Sequence, residues 1–165
     1  GNYAASLLGE YRGISEGCEQ VCFVDAATKT YLEELGGMNM MVVYKDGHVE
    51  TPSLTGNILP GVTRRSIIQL LEDDGHDVVE TMIALDQLLD DIKSGKVTEV
   101  FACGTAAIIT PIGRFKSEKF DVTVASSVRS PIRTTGCGRC AEPTPVATAY
   151  AVCKDDASRH RPFPL

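Results

Sequence analysis

The chain has 165 residues and a formal net charge of −6, from 22 acidic and 16 basic side chains, which argues against a nucleic-acid surface because phosphate backbones are bound by basic faces. With 43% hydrophobic and 23% charged residues it has an ordinary globular composition and enough length to bury a core. No run approaches the roughly 18 apolar residues of a membrane span, no basic-then-apolar secretory segment opens the chain, and six cysteines are too few for a disulfide scaffold, so a reducing, cytoplasmic setting is expected.

The chain opens on Gly1-Asn2-Tyr3 rather than on Met, the pattern of a fragment, a processed chain or a trimmed one. Ala4 to Tyr11 reads as a short helix with Ala4, Leu7, Leu8 and Tyr11 on its apolar face. Strands are expected at Cys18 to Asp25, Tyr31 to Leu35 and Met38 to Tyr44, the last two separated by a turn at Gly36-Gly37. Asp46-Gly47 turns the chain into a strand at Val49 to Thr51. His48 and His76 fall in turns and are expected to be solvated. A helix follows at Thr63 to Asp73, closed by Gly75, then a strand at Val78 to Ile83 and a helix at Leu85 to Ser94, closed by Gly95. Glu99 to Ala102 and Ala106 to Thr110 read as strands flanking Cys103-Gly104-Thr105, with a further strand at Phe120 to Val124. This alternation argues an α/β or mixed α+β layered domain over residues 1–124.

Beyond about Val124 the character changes. Residues 125–165 are rich in Cys, Pro, Arg, Thr and Ser and have little apolar periodicity apart from Val146 to Val152. They are expected to be poorly ordered or loosely docked. Cys137-Gly138-Arg139-Cys140 has the spacing of half a zinc site, but only Cys153 and His160 stand nearby to complete it, and no metal site is expected. Cys18 and Cys22, four apart on one strand, are expected to share a face and pack in the core.

Three segments carry polar or glycine-rich patterns suited to chemistry: Glu33-Glu34 before Gly36-Gly37-Met38-Asn39, the loop from Gly56 to Arg64 that opens a helix, and Cys103-Gly104-Thr105-Ala106-Ala107. The loop offers free backbone amides at the positive end of a helix, suited to a phosphate. The Gly-Thr turn could add amides and a hydroxyl to the same nest. Taken singly, each has a plainer reading: an ordinary loop, a tight turn and a solvated glutamate.

Together and in this order, the segments resemble the fold-type IV pyridoxal-phosphate enzymes, and among them the branched-chain aminotransferases. The matching pieces are Gly1-Asn2-Tyr3-Ala4-Ala5-Ser6-Leu7, Gly17 to Val21 with Asp25-Ala26, EELGGMN from Glu33 to Asn39, TPSLTGNILPGVTR from Thr51 to Arg64, and TEVFACGTAAIITP from Thr98 to Pro111. The resemblance covers residues 1 to about 124. It implies the large C-terminal cofactor-binding domain of that family, a mixed sheet or pseudo-barrel with flanking helices. It also implies pyridoxal 5′-phosphate as cofactor and transfer of the amino group of leucine, isoleucine or valine to 2-oxoglutarate.

Residue by residue, Tyr3 takes the place of the family tyrosine that approaches the cofactor's ring oxygen, and Glu34 that of the glutamate beside the pyridine nitrogen. A carboxylate there keeps the ring protonated and able to accept electrons as the substrate Cα–H bond breaks. The amides of Val62 and Thr63, with the Thr105 hydroxyl, match the phosphate cradle. Gly37 and the amides of Thr105 and Ala106 match the place of the substrate carboxylate. The Schiff-base lysine of the family falls ahead of Gly1, and its proton shuttling is the kind of step that contributes about 10²–10⁴-fold. No lysine here matches it; Lys29 and Lys45 lie on other turns. The chain alone is therefore expected to be inactive, and the intact enzyme a homodimer acting on small amino and 2-oxo acids, with no nucleic-acid or membrane partner.

The resemblance leaves two neighbouring activities open, D-amino-acid aminotransferase and aminodeoxychorismate lyase, as well as a catalytically dead structural fragment. The Gly-Gly-Met-Asn and Asn-Tyr-Ala-Ala-Ser segments favour the branched-chain group. The redox Cys-x-x-Cys of some animal members is not expected, because its positions hold Ala107 and Thr110. After the strand at Phe120 to Val124 the family continues with a Gly-rich turn, an amphipathic helix and a His-Gly-Trp, whereas this chain has no Trp at all. An out-of-frame C-terminus is the leading expectation for that departure, and re-reading the coding DNA from codon 120 in the other frames checks it.

Overall fold

Met40 to Val43 places four apolar residues in a row, a pattern that demands cover on both faces of a strand. The computed structural model describes residues 4–105, 109–124 and 147–153, with 4–6 and 147–153 given by backbone alone, and it supplies that cover. β1 is Gln20–Val24, β2 Leu32–Leu35, β3 Asn39–Tyr44, β4 Val49–Pro52, β5 Val78–Thr81, β6 Val97–Cys103, β7 Thr110–Lys116, β8 Asp121–Thr123 and β9 Ala147–Cys153. The helices are α1 (Ala4–Ser15), α2 (Val62–Asp73) and α3 (Leu85–Lys93).

β3 pairs antiparallel with β4 on one side and β6 on the other. Alternation along the strand then divides the core. Met40 and Val42 join Val100 and Ala102 of β6, Ile112 and Phe115 of β7, and Leu88, Leu89 and Ile92 of α3. Met41 and Val43 point the other way, onto Phe101, Cys103, and Ile67 and Leu71 of α2. Each large apolar side chain removed from water in these clusters contributes about 1.5–3 kcal/mol.

The strand order is β2-β1-β9-β7-β6-β3-β4-β5, with β8 on β7. An isolated bridge between Leu35 and Met38 brings β2 back to β3. The strands from β2 round to β3 therefore form a ring, with the first cluster inside it and α3 packed into that cluster. This is the expected mixed sheet with flanking helices. The helix stops at glycine are also as expected: Gly75 and Gly95 adopt positive φ. The amides of His76 and Lys96 reach back to the carbonyls of Leu71 and Asp91, and the last turn of each helix is closed in this way.

Several expectations need correction. α1 runs to Ser15, four residues beyond the predicted end at Tyr11, and on its expected apolar face Leu7 and Tyr11 are 60% and 61% exposed while Leu8 is half-buried. A strand runs over Thr110–Lys116, beginning at the last residue of the predicted Ala106 to Thr110 strand, of which 106–108 lie outside the described residues. Pro111 and Gly113 conceal it in the sequence; the register slips between Ile112 and Arg114, around Gly113. In the tail, Ala147–Cys153 forms β9 between β1 and β7, parallel to both, where a loosely docked tail was expected. That strand coincides with Val146 to Val152, the one apolar stretch of the tail. Cys137, Cys140 and His160 lie outside the described residues.

Candidate cofactor site

The turn between β2 and β3 is two residues long. Leu35 and Met38 exchange both backbone hydrogen bonds, each at 2.9 Å. Gly36 sits at φ +59°, a backbone conformation that favours glycine, with Gln20 Oε1 2.9 Å from where a Cβ would lie. Gly37 is exposed at the tip and lines a small cavity of about 210 Å³ together with Glu10, Ile14, Cys18 and Gln20. On β2, strand alternation turns Glu33 and Glu34 to opposite faces. Glu34 is half-buried. Glu33 is buried and accepts a hydrogen bond from Asn57 Nδ2 at 3.0 Å.

Asn57 belongs to the loop that leads into α2. No side chain caps that helix, so the amides of Val62, Thr63 and Arg64 have no intrahelical acceptor and stand at the positive end of the helix dipole. Val62 is exposed and Thr63 half-buried. Arg64 is buried: one guanidinium nitrogen, Nη2, donates to the Pro52 carbonyl at 3.1 Å and to Glu80 at 2.7 Å. Its Nε is buried without a partner.

The loop meets the β2–β3 turn through Asn39, whose Nδ2 donates to the Leu59 carbonyl at 2.9 Å. A Cβ on Gly61 would run into Asn39 Oδ1. Across the sheet, Asn39 faces Cys103 in register, which brings the end of β6 to the same place. There a Cβ on Gly104 would lie 3.1 Å from Met38 Cγ. Burial pushes the Cys103 thiol up to about 11, opposed by the positive charge of Arg64.

The three segments singled out in the sequence thus gather at one end of β3. Glu34 and Gly37 arrive on the β2–β3 turn, Val62 and Thr63 on the first turn of α2, and Thr105, exposed, just past β6. Tyr3 and Ala106 lie outside the described residues. Sequence reasoning missed Asn39, Glu33 and Arg64 as site-builders, although all three sit inside the quoted segments.

A different cleft, of about 840 Å³, opens at the other end of β3 between the β3–β4 turn and α3. Its polar groups are paired with one another: Tyr44 with Glu50 at 3.0 Å, His48 with Asp46 at 2.6 Å, and Lys96 with Asp91 at 3.0 Å. His48 stacks on Tyr44, and His76 Nδ1 lies 3.0 Å from the Gly47 carbonyl. Both histidines are half-buried by these contacts, not solvated as expected. Lys45 lines this cleft, and Lys29 sits on the β1–β2 loop at φ 59°. Cys18 and Cys22 are buried, as expected of core residues.

Comparison with known proteins agrees with this geometry. A family profile described as Amino-transferase class IV matches residues 1–115. The chain is 51% identical over 116 residues to a probable branched-chain-amino-acid aminotransferase of Streptomyces coelicolor, covering 70% of this chain and 32% of that one. It is 45% identical over 128 residues to the branched-chain-amino-acid aminotransferase of Mycolicibacterium smegmatis, covering 76% and 35%. Among solved structures, the branched-chain amino acid aminotransferase of Escherichia coli superposes with a TM-score of 0.64 at 32% identity, over 80% of this chain and 40% of that one. Another branched-chain amino acid aminotransferase, solved with pyridoxamine 5′-phosphate, superposes at 0.59 with 31% identity, over 68% and 34%. The chain spans about a third of the length of the curated relatives it matches. A profile match over most of the chain, a shared fold and glycine-lined segments gathered at one strand end give a single conclusion: the chain belongs to the class IV aminotransferase family.

Proposed function

We propose that this chain is the cofactor-holding part of a branched-chain-amino-acid aminotransferase, which transfers the amino group of leucine, isoleucine or valine to 2-oxoglutarate with pyridoxal 5′-phosphate. The observation that carries the reading is the uncapped first turn of α2, whose Gly61 meets Asn39 at the end of β3 where Met38 meets Gly104. Glycine at 61, where a Cβ would run into Asn39 Oδ1, and at 104, where it would press on Met38, leaves backbone free to approach an anion. These residues fit a phosphate-bearing ligand. Relatives at 51% and 45% identity carry the branched-chain name, which supports the substrate class.

When bound, pyridoxal 5′-phosphate supplies an electron sink for the pair released as the substrate Cα–H bond breaks. The chain's own residues bind and orient. The Val62 and Thr63 amides and the Thr105 hydroxyl hold the phosphate, which the helix end favours by up to about 2 kcal/mol in a partly buried setting. Glu34 holds the proton on the ring nitrogen. On the family resemblance, Gly37, Thr105 and Ala106 would receive the substrate carboxylate and Tyr3 would approach the ring oxygen. No lysine of this chain matches the family's proton-transferring lysine. Assembly of the intact enzyme as a homodimer and a cytoplasmic location go with the same reading; the unpaired thiols of Cys18, Cys22 and Cys103 support a reducing compartment.

The test is amino transfer by the protein from the complete gene. Glutamate forms from 2-oxoglutarate with leucine, isoleucine or valine, and Glu34→Gln lowers kcat by on the order of 10²-fold, as for loss of one electrostatic stabiliser. Turnover of D-alanine in place of leucine, or none at all, contradicts the proposal.

A further inference from the structure

One residue joins the three converging segments. Asn39 is 7% exposed and begins β3, and its backbone faces Cys103 across the ladder. Its amide nitrogen donates to the Leu59 carbonyl at 2.9 Å, and its amide oxygen fills the space that a Cβ on Gly61 would need. An amide suits both contacts. Aspartate would lose the donor and add a negative charge, and alanine would leave the Leu59 carbonyl without this partner. α2 begins at Val62, one residue after Gly61. The placement of Leu59 and Gly61 therefore fixes where the first-turn amides point.

From this geometry we infer that Asn39 is a positioning residue: through Leu59 and Gly61 it sets the first turn of α2 against the Gly104–Thr105 turn, and so determines how far the site discriminates a phosphate-bearing ligand from its phosphate-free counterpart. The inference rests on the proposed cofactor. Asn39 touches neither phosphate nor substrate in this account; it acts through the loop. A generally weakened fold would lower affinity for any ligand alike, whereas a displaced helix end lowers affinity for the phosphate form alone.

The experiment is equilibrium binding of pyridoxal 5′-phosphate and of pyridoxal to the chain, in the wild type and in Asn39→Ala, Asn39→Asp, Gly61→Ala and the Asn39→Ala/Gly61→Ala double variant. Circular dichroism follows the fold of each. The wild type binds the phosphate ester more tightly than pyridoxal. Asn39→Ala reduces that preference about tenfold, the scale of one hydrogen bond, with pyridoxal affinity unchanged. Asn39→Asp, which keeps the shape, reduces it further and provides the answer if the alanine variant does not fold. Gly61→Ala also reduces it, and by less in the Asn39→Ala background, where Oδ1 no longer obstructs the methyl group. Wild-type preference retained in every folded variant overturns the inference and leaves the cofactor reading standing. No preference in the wild type overturns the cofactor reading, and the inference with it.

Discussion

Asp25 shows how much one side chain organises. Its carboxylate accepts hydrogen bonds from the amides of Thr28 at 2.6 Å, Thr30 at 2.9 Å and Tyr31 at 2.8 Å, and from the Thr28 hydroxyl at 2.9 Å. The Tyr31 and Thr28 amides hold the carboxyl well below the usual carboxylate range. A depressed folded value stabilises the native state above the unfolded value of about 3.9, and that contribution is lost as the pH falls through the folded value. Asp25→Ala should therefore lower Tm at pH 7 and flatten the acid limb of a Tm-against-pH curve below about pH 4. Equal Tm values for the two proteins at pH 7 would show that the loop does not depend on this carboxylate.

At the scale of elements, β3 is the strand on which both core layers and the candidate site depend. Met40 is fully buried inside the ring. Met40→Ala should cost about 2–5 kcal/mol in urea denaturation. Val79→Ala on β5, at the end of the strand order and 39% exposed, should stay within about 0.5 kcal/mol. Similar costs for the two would mean that β3 is not central. The prominence of β3 was legible in the sequence because Met-Asn-Met-Met-Val-Val-Tyr admits no solvated face. β7 was not legible: Pro111 lacks a backbone donor and Gly113 interrupts the alternation, so a strand held by its neighbours carries no strand pattern of its own. The role of Asn39 was equally hidden, since its partner Leu59 lies 20 residues away.

For the whole molecule, the ring was readable only as an expectation from the family resemblance. Leu35 with Met38 at one seam follows from the local Gly36-Gly37 turn, but closure also depends on a pairing that no local pattern encodes, β9 slotted between β1 and β7. The pieces of the site, by contrast, stood in the sequence as three segments, because turns and helix starts announce themselves through Gly, Pro and Asn. What the sequence could not supply was their meeting place. The fold brings them to one end of β3 and leaves the larger cleft at the other end filled with mutually paired polar groups.

A structure of the protein with pyridoxal 5′-phosphate bound measures that meeting place directly. The account predicts the phosphate on the Val62 and Thr63 amides, with a Glu34 carboxylate oxygen about 3 Å from the pyridine nitrogen. A cofactor seated in the cleft beside Tyr44 and His48, or a Glu34 carboxylate turned away from a ring whose phosphate sits on α2, would contradict it.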